Sequence, residues 1–136
     1  MPPDLSTKSS DLIKNNGRYF LIAMMFFTRV PIRLPDFNES ELNQSTRFFP
    51  LIGILVGAVG AVVFWLADSV LPLEVAVLLS MVATILFTGA FHEDGLADAI
   101  DGLGGGWTKE QVLTIMVDSR IGSYGAIGLV LALLTK

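Results

Sequence analysis

The amino-acid sequence predicts an all-α fold, that of a polytopic α-helical integral membrane protein, on three observations. Hydrophobic residues make up 52% of the chain and charged residues only 16%, with a mean hydropathy of +0.63; a soluble domain of this size needs more charge to cover its surface. The segment Phe48–Ala67, FFPLIGILVGAVGAVVFWLA, carries no charge over twenty residues, the length a hydrocarbon core of about 30 Å asks of a helix. A second apolar run, Leu71–Ala90, follows after Asp68-Ser69-Val70 alone and holds one charge, Glu74, near its start. That connection suits only a tight turn, so two full spans are expected as an antiparallel helical hairpin.

The remaining elements follow in order. Residues 1–18 are polar, contain Pro2, Pro3, Lys8, Lys14 and Arg18, and do not form a cleavable signal. Residues 1–15 are expected as a flexible tail, and 16–136 as the N-terminal part of one membrane domain. Tyr19–Phe27 is apolar but short, and the prolines of TRVPIRLP (Thr28–Pro35) end helices, which predicts an interfacial or re-entrant helix. In the first span Gly53, Gly57 and Ala61 recur every four residues, a spacing that lets helix backbones approach closely. Gly102–Gly106, GLGGG, predicts a flexible connection. Thr108 then caps a short amphipathic helix whose apolar side is Val112, Ile115 and Met116. Gly122–Thr135 begins as a third span and is cut short at Lys136, so a longer membrane protein is expected. Arg29, Arg33 and Arg47 precede the hairpin, Lys109 and Arg120 follow it, and its turn has only acids. The positive-inside rule therefore puts both flanks in the cytoplasm.

The chemistry concentrates in Phe91–Gly102, FHEDGLADAIDG, with one histidine and four acids in twelve residues. Carboxylates this close repel one another and are costly to bury, so a positive guest is expected. On a helix Asp94, Asp98 and Asp101 fall at i, i+4 and i+7 and share a face. Mg²⁺ takes such oxygen ligands and commonly bridges carboxylates to substrate phosphates. A solvated acidic loop is the plainer reading, but Leu96, Ala97, Ala99 and Ile100 give the segment an apolar face. His92, at the membrane edge, is by default a structural interface residue and otherwise a phosphate contact or proton-transfer group. Downstream, Asp118 and Arg120 stand among Ser119, Gly122 and Ser123. Arginine suits bidentate phosphate contacts, whereas an isolated one would anchor to lipid headgroups. With no cysteine, disulfides, thiolate zinc sites and cysteine nucleophiles are excluded. A transporter or channel would place its acids mid-span; here they lie just past a span's end.

Four separated stretches carry a resemblance. FFTRVPIRLP (26–35), RFFPLIGILVG (47–57), FHEDGLADAIDGLGG (91–105) and IMVDSRIGSYGAIGL (115–129) resemble, in the same order, segments of the cobalamin synthase family, also called adenosylcobinamide-GDP ribazoletransferase. The resemblance implies a magnesium-dependent phosphotransferase of the cell inner membrane, its acidic site facing the cytoplasm, whose members continue through several more helices. Its substrates would be adenosylcobinamide-GDP and α-ribazole or α-ribazole 5′-phosphate. The lipid bilayer would surround it, no nucleic acid would bind, and an oligomer would be compatible. In that reading Asp94, Asp98 and Asp101 hold metal and act in catalysis with Asp118 and Arg120. Arg120, His92, Ser119 and Gly122 contact substrate. A CDP-alcohol-type membrane phosphotransferase, which also uses helical aspartates at a different spacing, is the alternative within enzymes; a membrane transporter with a carboxylate ion site is the alternative outside them.

Overall fold

The computed structural model describes residues 5–136, with side chains from Lys14 onward. The described residues form helices and no strand, in two compact units, Met1–Gly89 and Ala90–Lys136. The first four residues of the expected tail lie outside the described residues; from Leu5 the backbone is helical.

In the first unit α1 (Leu5–Phe27) is longer than the apolar stretch alone suggested. It ends where the Thr28 hydroxyl turns back to donate to the Met24 carbonyl (2.7 Å), ahead of an extended segment containing Pro31 and Pro35. The Asn38 side chain and Glu41 form a reciprocal capping box at the start of α2 (Glu39–Ser45). Arg18 of α1 ties the two together, donating from Nε to Glu41 Oε1 (2.6 Å) and from Nη2 to the Asp36 carbonyl (2.9 Å). Beneath them Ala23 and Met24 pack with Ile52 as a core cluster, and Ile22 is fully buried as well. Phe27 meets Phe49 edge-on at 4.5 Å between ring centroids.

A 3₁₀ turn, Thr46–Phe48, leads without interruption into α3 (Phe49–Asp68). The continuous helical run Glu39–Asp68 has thirty residues and a mean hydropathy of 2.4 in its apolar window, and extends about 45 Å at 1.5 Å per residue. It displays Leu51, Ile54, Val62, Trp65 and Leu66 outward, as a membrane helix does. The second expected span is shorter. α4 (Leu73–Thr88) has sixteen residues, about 24 Å, because Pro72 starts it and Gly89 (φ 68°) and Ala90 (φ 61°) break it with two successive left-handed residues. The hairpin closes on Gly60, not on the Gly53–Gly57–Ala61 row. Ser80 Oγ donates to the Gly60 carbonyl at 3.0 Å, and a Cβ at Gly60 would lie 2.9 Å from Thr84 Cγ2, while Gly53 and Gly57 face open space. Three residues on from Gly57, Gly60 points about 60° away around the helix, enough to separate the two faces.

The second unit comprises α5 (Phe91–Gly105), α6 (Lys109–Val117) and α7 (Ser123–Thr135). Glycines expected to be flexible are helical in α5, where contact offsets their propensity cost of about 1 kcal/mol each. A Cβ at Gly102 would lie 2.6 Å from Met116 Cγ, and one at Gly104 2.9 Å from the Tyr124 ring. α6 starts as the sequence predicts, with Thr108 and Gln111 forming a capping box, and its half-buried Val112, Ile115 and Met116 turn toward α5.

Candidate active site

The acidic motif is helical, as its apolar interleaving requires. Ala90, strained at positive φ by about 1–3 kcal/mol, leaves its carbonyl to accept the Asp94 N–H at 2.8 Å and open the first turn of α5. Glu93 and Asp94 sit in that turn, where the helix dipole favours negative charge. At 100° per residue Asp94, Asp98 and Asp101 fall within about 60° of arc, between the face that packs on α7 (Ala97, Ile100) and the face that packs on α6 (Gly102).

Their environments nevertheless diverge. Asp94 is exposed, Asp98 half-buried, and Asp101 buried at 8% exposure. Asp101 Oδ2 accepts the Gly122 N–H at 2.7 Å and Oδ1 the Gly125 N–H at 2.8 Å. Gly122 is the N-cap of α7 and has no side chain to cap with, so Asp101 supplies from α5 what an aspartate at the cap would normally supply. Gly122, expected to contact substrate, has its N–H engaged there. Among the described residues no three histidine or acidic side chains are grouped closely enough to hold a metal ion. A shared helical face is thus not a shared point: Asp101 turns to α7, while the side chains of Asp94 and Asp98, a turn apart, take part in no hydrogen bond or ion pair with a described residue. Their hard carboxylate oxygens, unengaged within the fold, fit Mg²⁺.

The loop from α6 to α7 brings Asp118 and Arg120 together. Arg120 donates from its backbone N–H to Asp118 Oδ1 (3.1 Å), from Nε to Oδ1 (3.0 Å) and from Nη2 to Oδ2 (2.7 Å). The guanidinium holds the Asp118 carboxyl down at about 2, against an ordinary 3.8, and the carboxylate in turn raises Arg120. Arg120 remains 86% exposed, so the fork is oriented by Asp118 and open to solvent. Ser119 is exposed beside it, and His92 is exposed on α5, edge-on to Phe91 at 5.5 Å between ring centroids.

Sequence reasoning passed over Glu93. Its Oε1 lies 3.5 Å from Lys136 Nζ while Oε2 is buried without a partner among the described residues, in a cleft of about 170 Å³ lined by His92, Leu96, Leu129, Leu133 and Lys136. The motif's acidic density drew attention to the common face, from which Glu93 departs. For Asp101 a signal was present: Gly122-x-x-Gly125 opens a helix with no capping side chain of its own.

Residues 19–136 match the family described as cobalamin-5-phosphate synthase. The chain is 56% identical over 120 residues to an adenosylcobinamide-GDP ribazoletransferase from Shewanella frigidimarina, covering 86% of this chain and 45% of that protein. It is 55% identical over 118 residues to proteins of the same name from Shewanella putrefaciens and Shewanella baltica, at the same coverage. It therefore spans about half the length of the curated relatives it matches. No solved structure matches the chain.

Proposed function

We propose that this chain, which belongs to the cobalamin-5-phosphate synthase family, forms the metal- and phosphate-binding part of a membrane adenosylcobinamide-GDP ribazoletransferase. The observation that carries the reading is the family match across residues 19–136, which takes in the acidic helix and the arginine loop together. The hydroxyl of α-ribazole, or of its 5′-phosphate, attacks the phosphorus attached to cobinamide. A new P–O bond forms, the bond to the bridging diphosphate oxygen breaks, GMP leaves with that oxygen, and the hydroxyl proton is released. The product is adenosylcobalamin or its 5′-phosphate.

Phosphoryl transfer of this kind depends chiefly on positioning and charge neutralisation. Asp94 and Asp98 would hold Mg²⁺, which when bound neutralises charge on the diphosphate. Arg120, pre-oriented by Asp118, presents a planar fork to phosphate oxygens, with Ser119 a hydroxyl donor beside it. His92 stands on the same helix as the acids, placed for phosphate contact or proton transfer. The cationic flanks support a cytoplasmic orientation for this face, in the cell inner membrane that the proposed activity implies.

Full-length protein in detergent, given adenosylcobinamide-GDP, α-ribazole and Mg²⁺, is expected to release GMP and form adenosylcobalamin in equal amounts, and to stop when EDTA is in excess. Absence of the corrinoid product with folded protein would reject the transferase reading; unchanged turnover in EDTA would reject the metal.

A further inference from the structure

We propose that Asp101 is a positioning residue: by capping α7 from within α5, its carboxylate holds the Asp118–Gly122 loop, and with it Arg120, in register with Asp94 and Asp98. The role rests on the transferase reading above but differs from metal ligation, the part its spacing first suggests.

Three observations carry it. Asp101 is buried, and each of its oxygens accepts a backbone N–H at 2.7–2.8 Å, one from the N-cap and one from the third helical residue of α7. In an ordinary capping box two side chains share these duties; here one carboxylate from another helix performs both, and its charge meets the positive end of the α7 dipole. Next, the glycines around it are shaped to the contact: a Cβ at Gly122 would run into Asp101 itself, its nearest atoms being Oδ1, Cγ and Oδ2, and one at Gly125 would meet Oδ2 and lie 2.8 Å from the Ala97 carbonyl. Finally, only Ile121 separates Arg120 from Gly122, so the amide bound by Asp101 fixes the chain two residues from the guanidinium. The acid helix and the basic loop are joined at this one carboxylate, and a small misplacement of catalytic groups costs far more rate than stability.

The test uses full-length protein and two substitutions. Asp101→Asn replaces one acceptor by an N–H donor facing an N–H. Gly122→Ala removes no carboxylate from the chain but pushes the Asp101 carboxylate off its cap. Each is expected to lower kcat by roughly 10- to 100-fold, to leave the Mg²⁺ concentration for half-maximal activity within about twofold of wild type, and to speed amide exchange at Gly122 and Gly125. The double variant should lose little beyond either single one, since both break the same contact. A half-saturating Mg²⁺ concentration that rises in step with the loss in Asp101→Asn would overturn the proposal in favour of metal ligation. So would wild-type kcat in Gly122→Ala with exchange accelerated, because the cap would then be irrelevant to the reaction. Should the wild-type protein carry out no transfer, the functional reading fails on its own, and unchanged exchange in Asp101→Asn would separately remove the anchor.

Discussion

The α3–α4 hairpin and the α5–α7 unit are both built from closely packed helices, yet they spend their polar groups differently. In the hairpin the approach is made by absence: Gly60 lets Ser80 and Thr84 come near, and the cross-helix hydrogen bond is a neutral hydroxyl on a carbonyl. In α5–α7 the approach is made around a buried charge, with Gly122 and Gly125 clearing space for the Asp101 carboxylate. Burying a charge is costly unless it is hydrogen-bonded, so the Asp101 contact is specified in direction as well as in distance. The hairpin is thus built for packing alone, whereas α5–α7, on the proposed reading, holds groups for chemistry. Changes in the first should read out as stability, and changes in the second as rate.

The largest expected effect tests the second half of that statement. Asp98→Asn in full-length protein should reduce turnover by roughly 100- to 1,000-fold, the scale of a lost electrostatic contact in a transition state, with its unfolding midpoint within error of wild type. A loss of folded protein equal to the loss of rate would erase the distinction between the two regions.

The hairpin supplies the converse. Gly60→Ala should destabilise by about 1–3 kcal/mol through overpacking against Thr84, whereas Gly57→Ala, which meets nothing within 4 Å, should be neutral or stabilise by up to about 1 kcal/mol. Reversible unfolding in mixed micelles measures both. Equal effects at the two glycines would show that the hairpin does not close on Gly60.

The smallest effect sharpens the role of Asp118. Its folded-state pKa is depressed, so its pairing with Arg120 contributes above the ordinary 3.8 and is lost as pH falls through about 2. Both groups are exposed, so the consequence for global stability should be slight. A carboxyl titration followed by NMR should find Asp118 near 2 in wild type and near its ordinary value in Arg120→Gln; an ordinary value in wild type would show that Arg120 is not held by Asp118.

Much of this is legible in the sequence itself. The apolar run of α3, the helical acidic motif with Ala97 and Ile100 on its inner side, and the Thr108 cap of α6 all follow from local rules, in which a residue's neighbours within one turn suffice. The early end of α4 was less so: Gly89 marks a stop, but a second left-handed residue at Ala90 is not something alanine announces. The helical state of Gly102–Gly105 ran against propensity, because contacts with Met116 and Tyr124 come from residues 14 or more positions away.

Sequence alone determined that the chain is helical and apolar, that three aspartates share one face of α5, and that an arginine follows one short helix later, since periodicity and charge are properties of consecutive residues. Tertiary structure decided which of those acids stays open and which becomes a fastener. Asp94, Asp98 and Asp101 are the same residue on nearly the same face, and what distinguishes them is the bare N-terminus of α7 arriving at Asp101, twenty-one residues before Gly122. A carboxylate's role is set by the donors that reach it, and those donors belong to another part of the chain.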